Sequence, residues 1–151
     1  EENALKKVQA IDFLNQDILL ADDSGLMIAA LAGRPGVFSA RFGGESLSDL
    51  ARCKYVLNLL AEEEQRKASF HCCMAIRFPG QQPFCVHGDV TGYIAREICG
   101  KSGFGYDPIF IPDGYSTTFA ELGAEVKNKI SHRAKALKLT QLNIIDFLAK
   151  N

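Results

Sequence analysis

Net charge is all but missing from this sequence. Its 17 Lys and Arg stand against 18 Asp and Glu, for a formal charge of −1. With no strong field of either sign, nothing global draws the protein to nucleic acid or to an anionic membrane, so any anion site has to be built locally. No apolar run is long enough to span a bilayer and no signal peptide is visible, so a soluble cytoplasmic protein is expected. No C-x-x-C occurs among Cys53, Cys72, Cys73, Cys85 and Cys99. Their odd number and the one adjacent pair argue against a zinc site or a disulfide framework, and for buried free thiols in a reducing compartment. Internal repeats and low-complexity linkers are also absent. What remains is a chain of 151 residues, 47% hydrophobic and 23% charged, which suits one domain with a sizeable core.

Periodicity supplies the elements. Residues 3–14 place Ala4, Val8 and Ile11 on one helical face, and residues 17–21 read as a buried strand. Pro35-Gly36 marks a turn. A second helix is expected from about Ser46 to Gln65, with Ser46-x-x-Asp49 as a capping box and Leu47, Leu50, Leu57 and Leu60 as its apolar stripe. From Ser69 to Phe78 the pattern alternates, with Phe70, Cys72, Met74, Ile76 and Phe78 on one face. A loop at 79–83 leads to a strand with Phe84 and Val86, and Val90 to Ala95 pairs further. Pro108 to Ile111 reads as a short strand. Ala134, Leu137, Ile145 and Leu148 mark a long terminal helix after Ser131. This order of elements predicts an α/β fold, a mixed sheet covered by helices.

Three runs are hard to explain by folding alone. Ala21-Asp22-Asp23-Ser24-Gly25 follows an apolar stretch. Acids are depleted in strands, and an unpartnered buried carboxylate is costly. A turn there can hold a hard cation through carboxylate oxygens, with Ser24 free to donate to a phosphate, or it can be an acidic turn that caps its own amides. Gly100-Lys101-Ser102-Gly103-Phe104-Gly105-Tyr106-Asp107-Pro108 has neither the Walker A order nor a dinucleotide fingerprint opening a helix. Its glycines permit close ligand approach, and Phe104 and Tyr106 can stack on a flat base or simply anchor a surface loop. In Lys127-Asn128-Lys129-Ile130-Ser131-His132-Arg133, a Ser131 cap puts two cations in the first turn of a helix, against its dipole. A ligand that uses both explains that placement; a solvated basic turn is the plainer alternative. His71 and His87 read as ordinary sheet or loop residues.

Together these runs resemble the inosine triphosphate pyrophosphatase family of non-standard purine nucleotide hydrolases. Ala21-Asp22-Asp23-Ser24-Gly25-Leu26, Pro35-Gly36-Val37-Phe38-Ser39-Ala40-Arg41, Phe70-His71-Cys72, Gly103 through Phe110 and Ile130-Ser131-His132-Arg133-Ala134 occur in the family's order. So does Glu2-Asn3-Ala4 with Lys7. The resemblance covers essentially the whole chain, as one domain over residues 1–151. It implies an elongated sheet flanked by helices, in two lobes with a nucleotide cleft between them. It implies Mg²⁺-assisted hydrolysis of ITP, dITP or XTP to the monophosphate and pyrophosphate. Asp23 resembles the catalytic proton acceptor and metal ligand, Ser24 a substrate contact and Lys7 a phosphate-side cation. Phe104, Gly105, Tyr106 and Asp107 resemble the base-pocket loop, closed by Lys127, His132 and Arg133. A homodimer is implied, with Pro35 to Phe42 and the strand around Phe70 as candidate surfaces. The family's opening strand, its Ser/Thr-Gly-Asn-x-x-Lys phosphate loop and an upstream Glu are outside this sequence, and residues upstream of Glu1 are expected. The alternatives are a nucleotide-binding protein without turnover and a related pyrophosphatase for other modified nucleotides.

Overall fold

A computed structural model describes residues 1–11 and 17–150. Helix α1 (Glu2–Gln9) precedes strand β1 (Leu19–Ile28), and the short strand β2 (Pro35–Gly36) follows. Helix α2 (Asp49–Leu59) leads to the long hairpin of β3 (Lys67–Arg77) and β4 (Phe84–Ile94). Strand β5 (Phe110–Pro112) and helices α3 (Phe119–Ile130) and α4 (His132–Lys150) complete the chain. The strands lie in one sheet in the order β2-β1-β3-β4-β5, and every pairing among them is antiparallel. The architecture is the α/β fold with covering helices expected from the element order, but the sheet, expected to be mixed, is antiparallel throughout the described strands. The end of the first predicted helix, at 12–14, lies outside the described residues.

Alternation along β3 decides where the layers go. Phe70 joins Leu26, Ile28, Val90 and Ile94 on one face, where Cys53, Val56 and Leu60 from α2 and its C-cap and Phe110 and Phe119 complete the main core. On the opposite face Cys73 and Ala75 are buried too, because Ala4 and Val8 of α1 cover them. Helices therefore sit on both faces of the sheet.

Several boundaries differ from expectation, each for a local reason. The acidic run is not a turn: β1 extends to Ile28, so Asp22 to Gly25 lie inside a strand. The carboxylates there are stabilised by cationic partners described below. Helix α2 is capped by Ser48, whose hydroxyl accepts the Ala51 N–H at 3.2 Å, and Ser46 lies upstream in the loop. That loop is held by Arg52, 4% exposed, which donates to the carbonyl oxygens of Phe42, Gly44 and Leu47 at 2.7, 3.1 and 2.9 Å. Arg66 ends the other side, donating to the carbonyls of Leu60, Ile94 and Ala95. The helix thus stops well short of Gln65.

Helix α4 buries Ala136 and Thr140 while Leu137, Ile145 and Leu148 are exposed, so the predicted stripe is displaced. The cause is Gly88 of β4. A Cβ at that position would overlap the His132 carbonyl oxygen and the Ala136 nitrogen. The helix approaches the sheet backbone to backbone, and only small side chains fit beneath it.

Candidate active site

Strand periodicity separates the two acids. Adjacent side chains in a strand point to opposite faces, so Asp22 and Asp23 cannot share one ion as a pair. Asp22 faces α4, where Arg133 Nε and a terminal guanidinium nitrogen both donate to its Oδ2 at 2.9 and 2.8 Å. Asp23 faces α1. Lys7 Nζ lies 3.0 Å from its Oδ1 and also donates to the Asp22 carbonyl oxygen at 2.7 Å, while Asn3 Nδ2 donates to its Oδ2 at 3.2 Å. These pairs explain how a strand tolerates two carboxylates.

On the Asp22 side, β1 walls a cavity of about 240 Å³. The remaining substrate-contact candidates converge on it. Ser24 comes from β1, Phe104 to Asp107 from the glycine-rich loop, Lys127 from α3, and His132 and Arg133 from the start of α4. Ser131 caps α4 as expected, its hydroxyl accepting the Ala134 N–H at 3.2 Å, which puts His132 and Arg133 in the first turn. The loop is shaped from within. Asp107, 3% exposed, accepts the Phe104 N–H at 2.9 Å and forms an ion pair with Lys127. Tyr106 donates its hydroxyl to the Ser39 carbonyl at 2.8 Å, and the Ser39 hydroxyl accepts the Leu26 N–H at 2.8 Å. The motif at Pro35 to Arg41 thereby ties the aromatic loop to the acid strand. Phe104 is 59% exposed, with Lys127 Nζ 3.9 Å from its ring centroid and the Arg133 guanidinium 5.8 Å away. Such a ring offers a stacking face beside two cations.

His132 is the most perturbed base in the cavity. Its ring stacks on Phe70 at 4.7 Å, and its Nδ1 has no hydrogen-bond partner among the described residues. Burial first, then the Arg133 and Lys127 charges, lower its pKa to about 3. The imidazole is therefore neutral at physiological pH. The unfolded chain binds a proton at His132 below about pH 6.5 that the folded chain refuses until near pH 3, so stability falls as pH drops through that window. The expected slope from this one group reaches about 1.4 kcal/mol per pH unit. Urea unfolding between pH 4 and 7 checks it: His132→Gln flattens the dependence, and an unchanged slope contradicts it.

On the other side of β1 a cavity of about 360 Å³ is lined by Asp23, Ser24, Gly25, His71, His87 and Asp89, among others. His71 Nδ1 lies 2.6 Å from Asp89 Oδ1, and its Nε2 is 2.8 Å from Ser69 Oγ. Both histidines are sheet residues, as expected. Ser24 Oγ is buried beside the Cys72 thiol. Asp23 and Lys7 thus lie together, the base-loop group lies together, and Ser24 joins the two cavities.

No cluster of three His, Cys, Asp or Glu able to hold a metal occurs among the described residues. The Asp23 face carries the carboxylates of Glu1, Asp23 and Asp89, and among the described residues they do not gather into a metal cluster. That fits a cation which brings its other ligands as phosphate oxygens and water, as Mg²⁺ does, and does not fit a protein-only cage. Sequence reasoning missed the Asp22–Arg133 pair, which spans 111 positions, and the Leu26–Ser39 and Gly105–Asp49 hydrogen bonds. Asn3 was visible only within the quoted Glu2-Asn3-Ala4.

A strand carrying one acid to each side, walled on one face by a cationic and aromatic cavity, defines an α/β protein whose side chains are complementary to a small anionic, aromatic molecule. The chain belongs to the Ham1 family, whose sequence profile matches residues 1–141. It is 51% identical over 140 residues to a dITP/XTP pyrophosphatase of Bacillus subtilis, covering 91% of this chain and 71% of that one. A dITP/XTP pyrophosphatase of Listeria monocytogenes is 40% identical over 151 residues, with coverage of 99% and 74%. Among solved structures, the Ham1 protein of Staphylococcus aureus superposes with a TM-score of 0.89 at 41% identity, over 96% of this chain and 76% of that one. A HAM1 protein from Coxiella burnetii gives 0.88 at 44% identity, with the same coverage.

Proposed function

We propose that this chain, as one domain over residues 1–151, hydrolyses dITP, ITP and XTP to the nucleoside monophosphate and pyrophosphate. The observation that carries the reading is the likeness to dITP/XTP pyrophosphatases over nearly the whole chain. The nucleotide lies across β1, its base in the cavity beside Phe104 and its phosphates toward Asp23 and Lys7. Phe104, Gly105, Tyr106 and Asp107 form the base loop, and Lys127, His132 and Arg133 close it. Ser24 donates its hydroxyl to the substrate. Asp23 accepts the proton of the attacking water while the bond between the α- and β-phosphates breaks. Lys7 offsets charge on the phosphate oxygens. Asp23 would also hold Mg²⁺, which would neutralise charge on the pyrophosphate leaving group. The enzyme works as a homodimer in the cytoplasm, with a nucleotide rather than a nucleic acid or membrane as its partner. Among the described residues the cysteines are free, which suits a reducing compartment, and no helix is long and apolar enough to cross a membrane.

Selection against ATP follows from donors aimed at a 6-oxo group, which face the amino group of adenine unpaired. Arg133 is the donor expected to read the base. Arg133→Ala raises KM for dITP about tenfold or more, the loss of a charged hydrogen bond, and changes dATP kinetics far less. Steady-state kinetics on both nucleotides check this. An equal loss on both substrates would assign Arg133 to general binding.

A further inference from the structure

Gly105, at the centre of the aromatic loop, has φ of +60° and nothing within 4 Å of where a Cβ would stand. Packing leaves Gly105 itself free while Tyr106 beside it is anchored in the main core, so the Gly105 peptide is fixed by hydrogen bonds. Both ends of the residue are held by α2. Asp49 Oδ2, at the first position of the helix, accepts the Gly105 N–H at 2.6 Å. About one turn further, the Cys53 thiol donates to the Gly105 carbonyl oxygen at 3.3 Å. Burial pushes that thiol up to about 12, so it keeps the proton it donates. Asp49 is not needed as the helix cap, because Ser48 fills that role. An exposed carboxylate at a helix start that spends its acceptor on a distant loop amide has a job beyond its own helix.

We propose that Asp49 is a positioning residue that locks the Gly105 peptide and so sets the exposed Phe104 ring against the core-anchored Tyr106, in the shape that receives the purine base. The proposal rests on the reading of this cavity as the base pocket. Without the lock the loop samples other shapes, and binding is weakened by the fraction of time it spends in them. The phosphate side, across β1, is not touched. The loss therefore falls on KM and on base selection rather than on kcat.

Two measurements in the full-length chain decide it. The first is amide exchange of Gly105 followed by NMR in wild type, Asp49→Ala and Asp49→Asn. The lock predicts exchange at least about tenfold faster in Asp49→Ala, and protection retained in Asp49→Asn, whose amide oxygen still accepts the N–H. The second is kinetics on dITP and dATP. Asp49→Ala is expected to raise KM for dITP about tenfold with kcat changed less than about threefold, to narrow the preference over dATP, and to be rescued by Asp49→Asn. Unchanged Gly105 exchange in Asp49→Ala overturns the lock, as does a loss confined to kcat. If wild type hydrolyses neither nucleotide, the pyrophosphatase reading fails, while the exchange result still decides whether Asp49 holds the loop.

Discussion

Asp23→Asn is expected to reduce turnover of dITP by about 10²–10⁴-fold, the range a positioned general base contributes. The amide keeps the shape and an acceptor oxygen, so Asn3 retains a partner, but it can neither take a proton from water nor offer a charge to a cation. Stability is expected to change little. The ion pair it removes joins Asp23 to a Lys7 side chain that is 52% exposed, and exposed pairs contribute about 0–1 kcal/mol. A melting temperature within a few degrees of wild type, together with the collapse in kcat, is the expected signature. An Asp23→Asn enzyme with near-normal kcat contradicts the role.

Asp107→Ala is expected to act on stability and on the base pocket together. Its carboxylate is nearly buried, accepts the Phe104 N–H and pairs with Lys127, whose side chain is 14% exposed. Removal strands an ammonium with little solvent and frees the loop amide. The expected cost is about 2–4 kcal/mol, within the range for breaking a mostly buried pair. For a chain of this length that is a fall in melting temperature of roughly 5–15 °C. Asp107→Asn keeps an acceptor for the Phe104 N–H and should recover part of the loss. A melting temperature unmoved in Asp107→Ala would show that Lys127 finds water or another partner. Thermal melts and KM for dITP separate the two effects.

Much of this arrangement is legible in the sequence. The alternation at Phe70 to Phe78 and the cap at Ser131 each act within a few residues, and the structure places both where the pattern does. Where pattern failed, a distant partner had decided the outcome. The acid run reads as a turn because strands disfavour carboxylates, yet Arg133 and Lys7 supply the counter-charges that keep it in β1. The stripe on α4 is displaced because a glycine on another element, Gly88, admits the helix backbone. The end of α2 depends on Arg66 reaching carbonyls beside β4. In the site, residue types were visible but not sidedness. Period two puts Asp22 and Asp23 on opposite faces once they are known to lie in a strand. In sequence Asp49 reads as the acid of a capping box with Ser46, and only its contact with Gly105 points to the role proposed for it.

The most direct test of the account is pyrophosphate release by the full-length protein with Mg²⁺, on dITP and dATP side by side. The account predicts dIMP and pyrophosphate from dITP, with kcat/KM at least about 100-fold above that for dATP, the discrimination available when a built hydrogen bond goes unmet. Equal hydrolysis of the two nucleotides, release of orthophosphate instead of pyrophosphate, or no turnover of dITP would contradict it.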